Sequence, residues 1–220
     1  MRHLLTGAGS GIGHELAERL RDRGDELWLV VRDAGRVAGE FPDAHVLEAD
    51  LSDGTAIAGL RLPDRLDSVV HVAGTVELGA VADLDEAAWT DQLAVNLVAP
   101  ALLTRAALPA LRAARGTVVL VNSGAGLRAS PGWSAYAASK FGLRALADAL
   151  RAEERDNGVR VTSVFPGRTA TPMQEEVHRQ EGREYDDADW IRPETVVDAI
   201  VSVLDLPVDA TMPEVSISPR

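Results

Sequence analysis

The chain has 220 residues, 46% of them hydrophobic and 25% charged, with a net charge of −12. That length suits one domain spanning 1–220 with a substantial core, and the acidic balance argues against nucleic acid, because phosphate binding needs a basic surface. With no cysteine, disulfides and thiolate zinc sites are excluded, and no apolar run reads as membrane-spanning.

The N-terminal MRHLLTGAGSG is too short and glycine-rich for a signal peptide, so a cytoplasmic protein without a membrane partner is expected. His3, His14, His45, His71 and His178 show no H-x-x-x-H spacing. They read as structural, and no metal site is expected.

Strand-like and helix-like stretches alternate along the chain. RHLLT (2–6) is a short apolar run stopped by glycines. HELAERLRDRG (14–24) sets Leu16 and Leu20 one turn apart and closes on Gly24, a helix signature. Residues 26–31, 44–49 and 68–74 read as strands. A long helical stretch covers 86–114, with Pro100 and Pro109 as candidate kinks. GTVVLVNS (116–123) is a buried-type strand, 134–158 a long amphipathic helix, 159–167 a strand, 194–206 a helix and 214–218 a last strand. Continuous apolar strands separated by helices predict an α/β fold: a doubly wound parallel sheet with helices on both faces. Ligands bind such sheets beyond the carboxyl ends of the strands.

TGAGSGIG (6–13) follows the first strand and opens the first helix, with Gly7, Gly11 and Gly13 spaced as G-x-x-x-G-x-G. Such a loop lets a pyrophosphate approach the backbone, and the helix N-terminus behind it offers free N–H groups. The alternative is a tight turn without a ligand. Asp33 stands at the distance expected for an acidic ribose partner, but the second strand ends at Val31, which puts Arg32 beside the ribose. Asp33 can then cap a following turn, while Arg32 pairs with a 2′-phosphate. The alternative is a solvated Arg–Asp pair.

YAASK (136–140) holds the only lysine among 22 basic residues. Tyr136 and Lys140, four apart, project from one helix face. An ammonium beside a phenol lowers its pKa from near 10 and suits the tyrosine to proton transfer.

These stretches together resemble the short-chain dehydrogenase/reductase family, over almost the whole chain and in its compact single-domain, Rossmann-type form. TGAGSGIG is similar to its cofactor loop, implying contacts from Gly7, Ser10, Gly11, Ile12 and Gly13. ADL (49–51) implies Asp50 on the adenine amino group and Leu51 on the ring. HVAG (71–74) stands where the family commonly has Asn-Asn-Ala-Gly, so Ala73 and Gly74 remain while the bracing asparagines are absent. VNL supplies Asn96, VNSGAG supplies Ser123, and YAASK supplies Tyr136 and Lys140. The resemblance implies that Asn96 kinks its helix and holds a water on Lys140. PGRTATPM (166–173) is similar to the segment over the nicotinamide, implying Pro166, Gly167, Thr169 and Thr171.

Val31 followed by Arg32 resembles the NADP-preferring members, although the frequent basic residue of the glycine loop is replaced by Ser10. The resemblance thus implies an oxidoreductase using NADP(H), with NAD(H) less favoured, on a ketone, aldehyde or secondary alcohol. It also implies a homodimer or homotetramer built on the 86–114 and 134–158 helices. Residues 168–192 form the expected substrate lid, with Met173, Tyr185, Trp190 and the preceding Trp133 as apolar lining. The alternatives are a dinucleotide-binding redox sensor without turnover and a same-fold epimerase or dehydratase. A Ser-His-Asp hydrolase is disfavoured, because Ser123 lacks a G-x-S-x-G elbow.

Overall fold

The computed structural model describes residues 1–219. Seven parallel strands form one sheet: β1 (Arg2–Thr6), β2 (Glu26–Val31), β3 (His45–Glu48), β4 (Ser68–His71), β5 (Thr117–Val121), β6 (Arg160–Pro166) and β7 (Glu214–Ile217). Their order is β3-β2-β1-β4-β5-β6-β7. The order reverses between β1 and β4, the position at which a crevice opens beyond the strand ends.

Period-two alternation sends neighbouring residues to opposite faces of the sheet. Leu5, Val70, Val119 and Val121 pack against α1 (Gly11–Asp22) and a C-terminal helix, Pro193–Leu204. Leu4, Val69, Val118 and Leu120 pack against a helix over Ala99–Ala114 and another over Ser134–Glu153. Both faces are therefore buried, which accounts for the unbroken apolar runs of β1, β4 and β5.

In chain order the remaining helices are α2 (Gly54–Ala58), α3 (Glu86–Leu93), α4 (Ala99–Ala114), α5 (Ser134–Glu153), α6 (Pro172–Glu181) and α7 (Pro193–Leu204). The short α2 has no apolar periodicity to announce it; Asp53 caps it by accepting from the Thr55 N–H at 2.8 Å. The expected lid contains α6, which starts at Pro172 behind the Thr171 cap and stops at Gly182.

The 86–114 stretch is helical throughout, but neither proline divides it. A π-helical turn over 94–98 joins α3 to α4, with Asn96 at its centre. Pro100 follows at the start of α4, where it is tolerated, and Pro109 is carried inside. Continuous from Glu86 to Ala114, this helix is long and apolar enough to cross a membrane by length and composition. That corrects the reading of the sequence on this point. Here the apolarity seats Leu103, Ala107 and Leu111 on the sheet.

Candidate active site

β1 ends at Thr6, and the chain turns through Gly7 at φ +82°. A Cβ at Gly7 would lie 2.8 Å from the Ala73 nitrogen, and one at Gly13 would lie 2.2 Å from the Gly7 carbonyl oxygen. The loop is therefore packed on β4 and on the start of α1 as only glycine permits. Ser10, the N-cap of α1, makes no side-chain cap bond, and no acidic residue occupies the first turn. The free N–H groups and positive dipole end of a twelve-residue helix thus open onto a cleft, a donor set that fits a pyrophosphate.

At the β2 side of this cleft, Asp33 accepts from the Gly35 N–H at 2.9 Å and caps a short 3₁₀ turn, Ala34–Arg36. Arg32 and Arg36 are exposed and line the cleft, and neither has a carboxylate partner among the described residues. Asp50 spends one carboxylate oxygen on the N–H and hydroxyl of Ser52, at 2.8 and 2.7 Å. Those bonds, with a smaller contribution from Arg32, hold its pKa below the usual range.

At the other end β5 delivers Asn122 and Ser123, and α5 delivers Tyr136 and Lys140. Asn122 clamps the two together: its Nδ2 donates to the Lys140 carbonyl at 3.0 Å and its Oδ1 accepts from the Ser123 N–H at 2.9 Å. The Ser123 hydroxyl accepts from the Ala125 N–H at 3.1 Å. Tyr136 is 6% exposed and Lys140 4%. The Lys140 ammonium donates to the Val121 carbonyl at 3.1 Å and lies 5.7 Å from the centre of the Tyr136 ring.

Burial pushes the phenol of Tyr136 up to about 12, opposed by the neighbouring Ser123 hydroxyl, and pushes Lys140 down to about 8. Without a bound dinucleotide, burial is the largest influence on the phenol. Both groups are desolvated, and the ammonium is engaged by a carbonyl.

One cleft of about 1260 Å³ gathers the glycine loop with Arg32, Asp50, Leu51, Ala73, Gly74, Ser123, Tyr136, Lys140, Pro166, Gly167, Thr169 and Thr171. That volume exceeds the usual span of a small-ligand pocket, leaving room for a dinucleotide and a second molecule. Asn96 is the exception. It is 1% exposed and does not line the cleft. Its amide accepts from the Thr75 N–H at 2.8 Å and donates to the Thr75 carbonyl at 2.9 Å and to the Ser139 hydroxyl at 3.0 Å. It braces the chain after β4 against α5 from behind the cleft wall, close to Gly74 and Lys140.

The missing asparagines of HVAG are replaced in kind. The Thr6 hydroxyl accepts from the N–H groups of Val72 and Ala73, both at 3.1 Å, and His71 bonds the Thr104 hydroxyl at 2.8 Å. Asn122, Thr6, Arg36 and Ser139 escaped the sequence reading. Only their partners, distant in the chain, reveal them, although an Asn ending a buried strand just before Ser123 was a usable signal for Asn122. His14, Glu18 and Glu40 bring their ligand-type atoms within 4.8 Å of one another, a grouping that chain spacing concealed. Arg21 lies 3.6 Å from Glu18.

Residues 2–182 match the family model of the short chain dehydrogenases. An uncharacterised short-chain type dehydrogenase/reductase of Sinorhizobium fredii is 31% identical over 221 residues, covering 96% of this chain and 89% of its own. A metagenomic short-chain oxidoreductase, solved in complex with NADP, is 29% identical with a TM-score of 0.82, covering 100% of this chain and 97% of its own. A 4-hydroxyisoleucine dehydrogenase complexed with NADH is 25% identical with a TM-score of 0.87, covering 99% and 97%. With its parallel seven-stranded sheet and the glycine loop at its switch point, the chain belongs to the short-chain dehydrogenase/reductase family of oxidoreductases.

Proposed function

We propose that the protein is an NADP(H)-dependent carbonyl reductase or alcohol dehydrogenase, acting on a ketone, aldehyde or secondary alcohol. The carrying observation is the convergence of Ser123, Tyr136 and Lys140 on the cleft that also holds the glycine loop. The N–H groups of α1 would hold the pyrophosphate, Asp50 and Leu51 the adenine, and Lys140 the ribose. Pro166, Gly167, Thr169 and Thr171 would flank the nicotinamide. Bound there, the dinucleotide supplies or accepts the hydride.

The chain's own part is proton transfer and orientation. Raised to about 12, the Tyr136 phenol stays protonated at neutral pH, which suits it to protonate a carbonyl oxygen as that oxygen gains negative charge. The Ser123 hydroxyl, on the same cleft wall, donates to that oxygen and fixes its place. Lys140, bonded to Val121 and four residues from Tyr136, holds positive charge beside the phenol and favours its ionised form in the reverse direction.

Preference for NADP(H) is supported by Arg32 and Arg36, which lack carboxylate partners among the described residues, and by Asp33 being spent on a cap. The similar structures bound NADP in one case and NADH in the other. We place the protein in the cytoplasm, as a homodimer or homotetramer, with 168–192 roofing the substrate end. A panel of ketones, aldehydes and secondary alcohols with NADPH and with NADH, followed by the absorbance of the reduced nicotinamide, tests the reading. Turnover favouring NADPH supports it, and no turnover with either cofactor rejects it.

A further inference from the structure

Arg168 follows β6 at the substrate end of the cleft and is engaged on several sides. Its guanidinium donates two bonds to Glu181 at the end of α6, Nη1 to Oε2 at 2.9 Å and Nη2 to Oε1 at 2.6 Å. Its Cζ lies 5.8 Å from the ring centre of Trp133 and 5.4 Å from that of Trp190. The pair is sheltered, with side-chain exposures of 27% and 15%, so solvent screens it less than a surface pair. Trp133 in turn meets Tyr136 edge-on, with ring centres 5.8 Å apart and planes at 68°.

The neighbouring stretch of α6 is tied to the facing wall. Gln180 accepts from the Leu78 N–H at 2.7 Å and donates to the Val76 carbonyl at 3.4 Å. A continuous line of contacts therefore runs from α6 through Glu181, Arg168 and Trp133 to the ring of Tyr136. A guanidinium suits the middle of that line, since its fork matches the carboxylate while its charge lies within cation–π range of both indoles. Its charge is matched by Glu181, so it is not free for an anionic substrate.

We propose that Arg168 is a positioning residue that sets the Tyr136 ring through Trp133, and so couples the seating of α6 to the alignment of the phenol with the substrate. This rests on the reading of Tyr136 as the proton donor.

Tyr136 and Tyr185 are the only two tyrosines, so the full chain labelled with 3-fluorotyrosine gives two fluorine resonances, assigned with Tyr185→Phe. Arg168→Met and Trp133→Leu should each shift the Tyr136 resonance, and the double variant should move it no further. Both should lower kcat about tenfold, as expected for a misaligned acid group, while NADPH affinity falls less than kcat, since the Arg168 side chain is engaged by Glu181 and two indoles although its neighbours Gly167 and Thr169 flank the nicotinamide. Arg168→Lys, which keeps the charge and loses the fork, should recover little. If Arg168→Met fails to fold, Glu181→Gln takes its place with the same expectations.

A Tyr136 resonance unmoved by a folded Arg168 or Glu181 variant overturns the proposal, as does an unchanged kcat, or losses in the two single variants that multiply in the double. Absence of turnover by the wild type on every carbonyl would reject the proton-donor reading instead. The fluorine spectra would still decide whether Arg168 sets the ring.

Discussion

Lys140 is the one position where a chain otherwise supplied with arginine uses lysine. It is 4% exposed, beside Gly74 and bonded to Val121. A guanidinium there is larger and cannot release a proton at working pH. Lys140→Arg should lower turnover by about a hundredfold or more with folding retained, as read by kcat on a confirmed substrate and by thermal melting. Wild-type turnover in that variant would remove the lysine from the chemistry.

Arg32 gives a second test at this scale. Arg32→Ala should weaken NADPH by about 1–3 kcal/mol, the range for a lost charge-assisted contact, and leave NADH nearly unchanged by calorimetry. Equal affinity of the wild type for both cofactors would discard the assignment. Tyr136, Ser123 and Lys140 were legible as sequence because their spacing is that of a motif. The direction of the phenol's shift was not, because desolvation depends on what encloses the ring.

Among the elements, the start of α1 is the most tightly constrained. Gly13 packs against the Gly7 carbonyl so closely that an added methyl group would sit 2.2 Å from the oxygen. Gly13→Ala must displace the loop or the helix, at about 1–3 kcal/mol for an overpacked site, and should abolish measurable dinucleotide binding while the rest of the fold persists. Fluorescence titration with NADPH and a melting curve read the two effects separately.

The π-helical turn at 94–98 shows the converse. Its sequence, AVNLV, carries no proline or glycine; the resemblance placed a kink at Asn96, and the π-helical turn is centred there. The Asn96 amide reaches Thr75 and Ser139 from this turn, and those distant partners leave no local mark. α6 was hidden for a related reason, since its charged residues mask a short buried stripe of Gln174, Val177 and His178.

Across the whole molecule, acid should act through buried histidines. His71 is pushed down to about 3 by burial, and His3 is lowered chiefly by burial, with Asp25 opposing. His71 is held neutral in the folded state and regains an ordinary pKa near 6.5 on unfolding. The unfolded chain therefore binds more protons below that value. Stability is full above about pH 6.5 and falls as pH drops from there towards 3, by up to about 1.4 kcal/mol per pH unit for His71, with His3 acting in the same direction. Urea midpoints between pH 7 and 5 read this slope, and His71→Gln should flatten it. A slope unchanged in that variant would clear His71.

Val98, at the end of the π-helical turn before α4, and Phe141 on α5 are exposed at 47% and 42%. An isologous interface across these helices should appear as a dimer or tetramer in light scattering at micromolar protein, and a monomer would count against it.

The sequence by itself determined the succession of elements along the chain: alternating apolar strands and helices, a glycine loop after β1, and Ser123, Tyr136 and Lys140 at motif spacing. These are local patterns, and periodicity and chain distance carry them. Only the tertiary structure decided that Thr6 braces the chain just after β4, that Asn96 supports the site from behind and that Arg168 lies between Glu181 and two indoles. Burial around the Tyr136 ring, which raises the phenol, is set by the same tertiary packing. Each of those outcomes depends on partners far apart in the chain and on exclusion of water, which no local pattern encodes.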